Sequence, residues 1–193
     1  LRRRVDGEYR NPTGAPVNNS DYQEDQSELL AVWRLGGNST LNGRWAWLER
    51  DNSNPAFRDF SGPSTDFGFT WTPTSQLSLK LSTARSTEAL SDPSFSYTRT
   101  DTLSFAPIWQ FAPKASLYFR LARSKLQYKG SGPVPSTGPA RSDTTDSAQI
   151  GLNWTPLRRV TLGASLLREE RSSNFPGDIY DATIGIINGS LTF

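Results

Sequence analysis

Four tryptophans recur along the chain, each closing an alternating stretch: Trp33, Trp71, Trp109 and Trp154. The intervals are 38 (33→71), 38 (71→109) and 45 (109→154) residues. After each Trp comes a short polar or proline-bearing break (LGGNS, TPTSQ, QFAPK, TPLRR). A second alternating stretch follows each break (STLNGRW, LSLKLS, ASLYFRL, VTLGASL). Two alternating stretches joined by a tight break make a β-hairpin. A hairpin repeated at a near-constant interval, with an aromatic beside every tight turn, points to one antiparallel meander.

Composition says which solvent such a meander faces. The chain has 193 residues, enough for one domain over 1–193. Only 35% of them are hydrophobic and the mean hydropathy is −0.57, low for a water-soluble domain that must fill a core. A transmembrane barrel escapes that demand, because only alternate residues face lipid and the lumen can be polar. No apolar run approaches the ~18 residues that a membrane helix needs. The net charge of +2 is too balanced to argue for nucleic acid. Histidine and cysteine are both absent. The missing histidine removes imidazole acid–base chemistry, Ser-His-Asp triads and any histidine metal site. No catalytic residue, metal or cofactor is expected. Leu1 opens a charged segment, LRRRVDGEYR, with no export signal. An exported chain needs one, so the sequence is expected to be a mature form or part of a longer barrel.

Alternation predicts ten strands, at roughly 1–9, 22–35, 39–50, 61–72, 76–87, 96–111, 115–128, 143–155, 159–171 and 180–193. Short connections fall near 36–38, 73–75, 112–114 and 156–158. Longer ones fall near 10–21, 51–60, 88–95, 129–142 and 172–179. In an up-and-down meander alternate connections share a rim, so this sorting matches short periplasmic turns and long external loops. The Asn42–Gly43 pair would ordinarily signal a turn, but it sits inside an alternating run and is read as strand. The expected architecture is an all-β, antiparallel, up-and-down transmembrane β-barrel of about ten strands in the bacterial outer membrane. It either closes on itself or contributes to a larger barrel. A soluble sandwich with its apolar face inward is the competing arrangement. The position of a Trp beside every short turn argues against it, because Trp favours the membrane–water boundary.

Period two then assigns faces. Leu77, Leu79 and Leu81 oppose Ser78 and Lys80; Ile150, Leu152 and Trp154 oppose Gly151 and Asn153. The apolar set suits lipid. Trp33, Phe69, Trp71, Trp109, Phe111, Trp154 and Phe193 are expected to form an aromatic belt at the membrane interface. With the Trp set facing out, Glu28, Arg34, Arg44, Lys80, Gln110, Tyr118, Arg120, Asn153 and Asn188 are expected to line the lumen. Asp143, Asp146, Glu169 and Glu170 are read as charges at the outer rim, where they meet water, rather than as an acid–base pair.

The stretches RDFSGPSTDFGFTWTPTSQLSLKLS (58–82) and SYTRTDTLSFAPIWQFAPKASLYFRLA (96–122), with the ending TPLRRVTLGASLLREERSSN…YDATIGIINGSLTF, resemble the EpsL-type outer-membrane proteins encoded with exopolysaccharide biosynthesis operons. The opening VDGEYRNPTG resembles a loop of the same family. The resemblance covers essentially the whole chain but only the later part of that longer family. It implies a barrel that supports export of exopolysaccharide through a polar, mildly cationic lumen. The implied partners are outer-membrane lipid, the polymer itself and periplasmic export components. A generic porin, a scaffold barrel of a secretion complex, a barrel enzyme and a soluble carbohydrate-binding module are the alternatives. Missing histidine weighs against the enzyme.

Overall fold

A computed structural model describes residues 2–7, 22–52, 59–90, 95–130, 139–175 and 177–192. They form ten strands: β1 Arg2–Gly7, β2 Tyr22–Leu35, β3 Ser39–Asn52, β4 Phe60–Thr74, β5 Leu77–Ala89, β6 Tyr97–Ala112, β7 Ala115–Lys129, β8 Ser142–Leu157, β9 Val160–Ser173 and β10 Tyr180–Leu191. They pair in sequence order as a single antiparallel sheet, with β1 and β10 at its two open edges. No helix long and apolar enough to cross a membrane is present among these residues. Asn42 and Gly43 lie within β3, opposite Val32 and Ala31. Alternation therefore prevails over the local turn preference of Asn-Gly.

The short turns, 36–38, 75–76, 113–114 and 158–159, share one rim, and the longer connections share the other. Gly36, at φ 65°, supplies the left-handed residue of the first short turn. The other three turns are built differently. In each, the Trp strand carries one extra residue just before the turn. Trp71 and Thr74 face Leu79 and Leu77, Trp109 and Ala112 face Leu117 and Ala115, and Trp154 and Leu157 face Leu162 and Val160. These are β-bulges, which strengthen local twist and end the ladder.

The turns are also laced together. The backbone N–H after each later Trp donates to the last residue of the preceding turn: Thr72 to Asn38 O (2.8 Å), Gln110 to Gln76 O (2.7 Å) and Thr155 to Lys114 O (2.8 Å). Thr192 donates to Arg159 O (2.9 Å) in the same way. Leu191 pairs with Val160 just as Trp154 pairs with Ala115. Leu191 thus occupies the place of a fifth Trp, 37 residues after the fourth (154→191).

A single-layer sheet can bury a side chain only by curling over it. Ala46, Leu48, Ser104 and Asp143 are buried, as are Gly62, Gly68, Gly151 and Gly163. The ladder places all eight on the face opposite Trp71, Trp109 and Trp154. That face is concave, and the Trp face is convex. Thr87, near the long-loop end, is buried on the convex parity, where its hydroxyl donates to Pro63 O (3.4 Å).

Candidate functional site

The convex face is an apolar wall. Trp33, Trp71, Trp109 and Trp154 all lie on it, with Phe67, Phe69, Leu81, Phe105, Phe119, Leu121, Ile150 and Leu166. Phe111 packs on Trp109 with ring centroids 5.8 Å apart. Phe193 falls outside the described residues. On six strands the first charge comes eight residues from the level of the Trp row: Trp33 to Asp25, Leu77 to Arg85, Trp109 to Asp101, Ala115 to Arg123, Trp154 to Asp146 and Val160 to Arg168. Eight residues at ~3.3 Å each, tilted as barrel strands are, give a wall about 20 Å high. That is comparable with the ~25 Å apolar band of an outer-membrane barrel.

The charges above the wall alternate in sign from strand to strand. Arg85 meets Asp101 (2.5 Å), Arg123 meets Asp146 (3.3 Å) and Arg168 meets Asp181 (2.6 Å). Neighbouring strands thus neutralise each other where the wall gives way to water. Exposed pairs of this kind contribute little to stability, of order 0–1 kcal/mol each.

The concave face is largely polar and built from small residues, with exposed Leu30, Val32, Ile108, Ile184 and Ile186 as apolar exceptions. The ladder puts eight of the nine lumen candidates on it: Glu28, Arg34, Arg44, Lys80, Tyr118, Arg120, Asn153 and Asn188. The ninth, Gln110, lies in the bulge after Trp109, lining a pocket with Ser78 and Ile108. Two of the candidates, Tyr118 and Asn188, and their neighbour on the same face, Asn42, lie across a glycine on the next strand. A Cβ on Gly68 would meet the Asn42 amide, one on Gly151 the Tyr118 ring, and one on Gly163 the Asn188 amide. Ser82 and Ser104 share a hydroxyl–hydroxyl hydrogen bond (2.7 Å), and so do Thr102 and Ser124 (3.1 Å). Sequence parity assigned Tyr118 and Asn188 to this face. It did not single out Asn42, the glycines or the hydroxyl ladder, whose partners are set by cross-strand register.

The basic residues of this face divide into two kinds. Arg44 donates through Nε to Glu28 Oε2 (2.9 Å), so its charge is compensated locally. Arg34, Lys80 and Arg120 form no ion pair among the described residues. All three lie on one register line. Arg34 is opposite Thr40, Thr40 opposite Thr70, Thr70 opposite Lys80, and Lys80 opposite Ala106. The β6–β7 register set by Phe105↔Leu121 and Ile108↔Tyr118 continues the line from Ala106 to Arg120, which faces Gln149. Threonine and alanine separate the three cations, so their long side chains have room to project from the wall.

Towards the long loops the concave face carries a buried ionic cluster. Asp143 is 1% exposed. It accepts from Arg171 Nη2 (2.5 Å), Arg141 Nη2 (3.1 Å) and Ser173 Oγ (2.6 Å). Arg141 also reaches Asp178 (2.7 Å) and lies over the Tyr128 ring, 4.6 Å from its centre. Its hydrogen bond to the Asp143 carboxylate raises the guanidinium pKa above its ordinary value. This corrects one sequence expectation: Asp143 does not meet water at the rim. Two arginines from separate segments converge on it, and a buried carboxylate is tolerated only when so compensated. Asp146 and Glu170 do sit exposed on the convex face. Glu169 is half-buried and hydrogen-bonded to Tyr180.

A meander with a lipid-compatible apolar wall, a polar concave face and sorted loops defines an outer-membrane β-barrel. The chain belongs to the family described as "Putative beta-barrel porin 2", which matches residues 28–192. Among solved structures it is similar to the FrpB iron transporter of Neisseria meningitidis (F3-3 variant). The TM-score is 0.62 at 10% identity, over 86% of this chain and 26% of that one. It is also similar to the outer membrane transporter YddB of Escherichia coli, with a TM-score of 0.42 at 13% identity, over 88% of this chain and 31% of that one. At 10% identity the likeness to FrpB is one of fold alone, and the chain spans less than a third of either transporter. No curated protein sequence matches it.

Proposed function

We propose that this barrel passes anionic solutes across the outer membrane, and that the polymer its wall suits is an acidic exopolysaccharide. The observation that carries the proposal is the register line of Arg34, Lys80 and Arg120 on the concave face, with no compensating carboxylate on it. Rings of Arg and Lys favour anions in a pore. Tyr118, Asn42, Asn153, Asn188 and Gln149 add donors and acceptors suited to sugar hydroxyls. The resemblance to EpsL-type proteins supports a polymer as cargo. Periplasmic export components are the partners this role requires, and no catalytic step is assigned to the chain. A pore for small anions is the second reading, favoured by the porin description of the family.

The test is electrophysiological. The full chain is reconstituted in a planar bilayer, and the reversal potential is measured across a salt gradient. Wild type is expected to prefer anions, and the Lys80→Glu/Arg120→Glu pair to turn that preference towards cations. An unchanged permeability ratio would sink the proposal. Surface polymer in cells expressing the same variant separates the two readings: it falls if the cargo is the polysaccharide and persists if the pore serves small anions.

A further inference from the structure

The convex face carries a site that the pore does not use. Across β5–β9, from the upper part of the apolar wall to the charges above it, a groove is lined by Leu81, Leu103, Phe105 and Leu121, with Arg123 and Arg168 beside Asp146 and Glu170 at its polar end. A second groove adjoins it and shares Leu103 and Arg123. Thr83, Asp101, Lys125 and Thr144 line it further. The two together run from hydrocarbon depth to the level of the charged girdle.

The charge around the upper groove is net positive, while Asp146 and Glu170 border only the lower one. On the convex face of β5–β7, Arg85, Arg99, Arg123 and Lys125 surround a single carboxylate, Asp101. Asp101 is already engaged by Arg85 (2.5 Å) and Arg99 (3.1 Å). Lys125 has no ion-pair partner among the described residues. Arg123 holds Asp146 (3.3 Å) with a side chain 70% exposed, and an exposed pair of this kind costs little to exchange for a phosphate. A cationic head position directly over an apolar slot suits a ligand with an anionic head and acyl tails.

We propose that this double groove binds a phosphorylated, multiply acylated glycolipid of the outer leaflet. An acyl chain lies against Leu81, Leu103, Phe105 and Leu121, and a headgroup phosphate is held by Arg123 and Lys125. The long loops share the rim above the groove, which places it at the external leaflet. The site is on the opposite face from Arg34, Lys80 and Arg120, so its failure would leave the pore reading untouched.

The experiment is a lipid titration of the full chain in a zwitterionic detergent, read by native mass spectrometry. Diphosphoryl lipid A, dephosphorylated lipid A and dipalmitoyl phosphatidylcholine are the probes. The expected result is saturable binding of diphosphoryl lipid A. Lys125→Gln and Arg123→Gln should each weaken it about tenfold, the loss of one charge-assisted contact, and Arg123→Lys should retain most of it. Lys125 is a solvated side chain, so Lys125→Gln keeps the test valid even if Arg123 variants fold poorly. Equal affinity for the dephosphorylated lipid, or unchanged affinity in Lys125→Gln, would overturn the proposal. So would displacement by inorganic phosphate at the lipid's own concentration, which would mark a free-anion site instead.

Discussion

Gly151 shows what the concave face asks of single residues. It is buried, and the Tyr118 ring lies where its Cβ would be. Gly151→Ala must push that ring aside, at a cost of about 1–3 kcal/mol for overpacking. The expected outcome is a lower urea midpoint in detergent micelles, recovered when Tyr118→Ser is added. A Tyr118→Ser change that restores nothing would mean the glycine serves the backbone instead. The face of Tyr118 was legible in the sequence because parity runs outward from each Trp. Its glycine was not, because 33 residues and a long connection separate the two (118→151), and loop length fixes the register. Asp143 is the same lesson in charge. Its own neighbours read as a wet rim, and only the arrival of Arg141 and Arg171 makes it a buried centre.

The strands themselves were the most legible element, since period two survives any loop length. Three of them, β4, β6 and β8, run one or two residues further into the short turns than alternation suggests, to Thr74, Ala112 and Leu157. The reason is the bulge after Trp71, Trp109 and Trp154, which adds a residue without breaking pairing. A polarity pattern cannot register that event, because the extra residue sits where the pattern is already fading into turn residues. The fifth Trp position was equally hidden, since Leu191 fills it. Leu191 is exposed on the convex face at the level of the Trp row. Leu191→Trp should therefore stabilise the sheet by about 1 kcal/mol, through an amphipathic ring at the interface. Urea unfolding in lipid vesicles checks this. A destabilised variant would show that the position is not interfacial.

At the scale of the molecule, the meander order followed from the sorting of connections into short and long. The two edges did not follow, because alternation is silent on what lies beside β1 and β10. In hydrocarbon each unpaired backbone group costs several kcal/mol, so in the membrane both edges are taken up by strands. The sorted loops also orient the molecule. A protease site inserted in the 130–141 connection should be cut in intact cells, and one at the Arg158–Arg159 turn only after the outer membrane is permeabilised. The reverse pattern would invert the assignment of the two rims.

The lacing of the short turns has a consequence for how such a molecule can change in size. Each turn offers a carbonyl, at Asn38, Gln76, Lys114 and Arg159, that only the following hairpin uses. The β4–β5, β6–β7 and β8–β9 hairpins are therefore each both recipient and donor of the same stitch, and nothing in the stitch counts how many have come before. A duplicated 38-residue unit inserted between two others would find both of its ties waiting. Circumference can then grow by two strands at a time, with the rim chemistry unaltered. The width of the barrel becomes a quantity that gene duplication sets by copying alone, while the charges on its concave face are adjusted separately, one residue at a time.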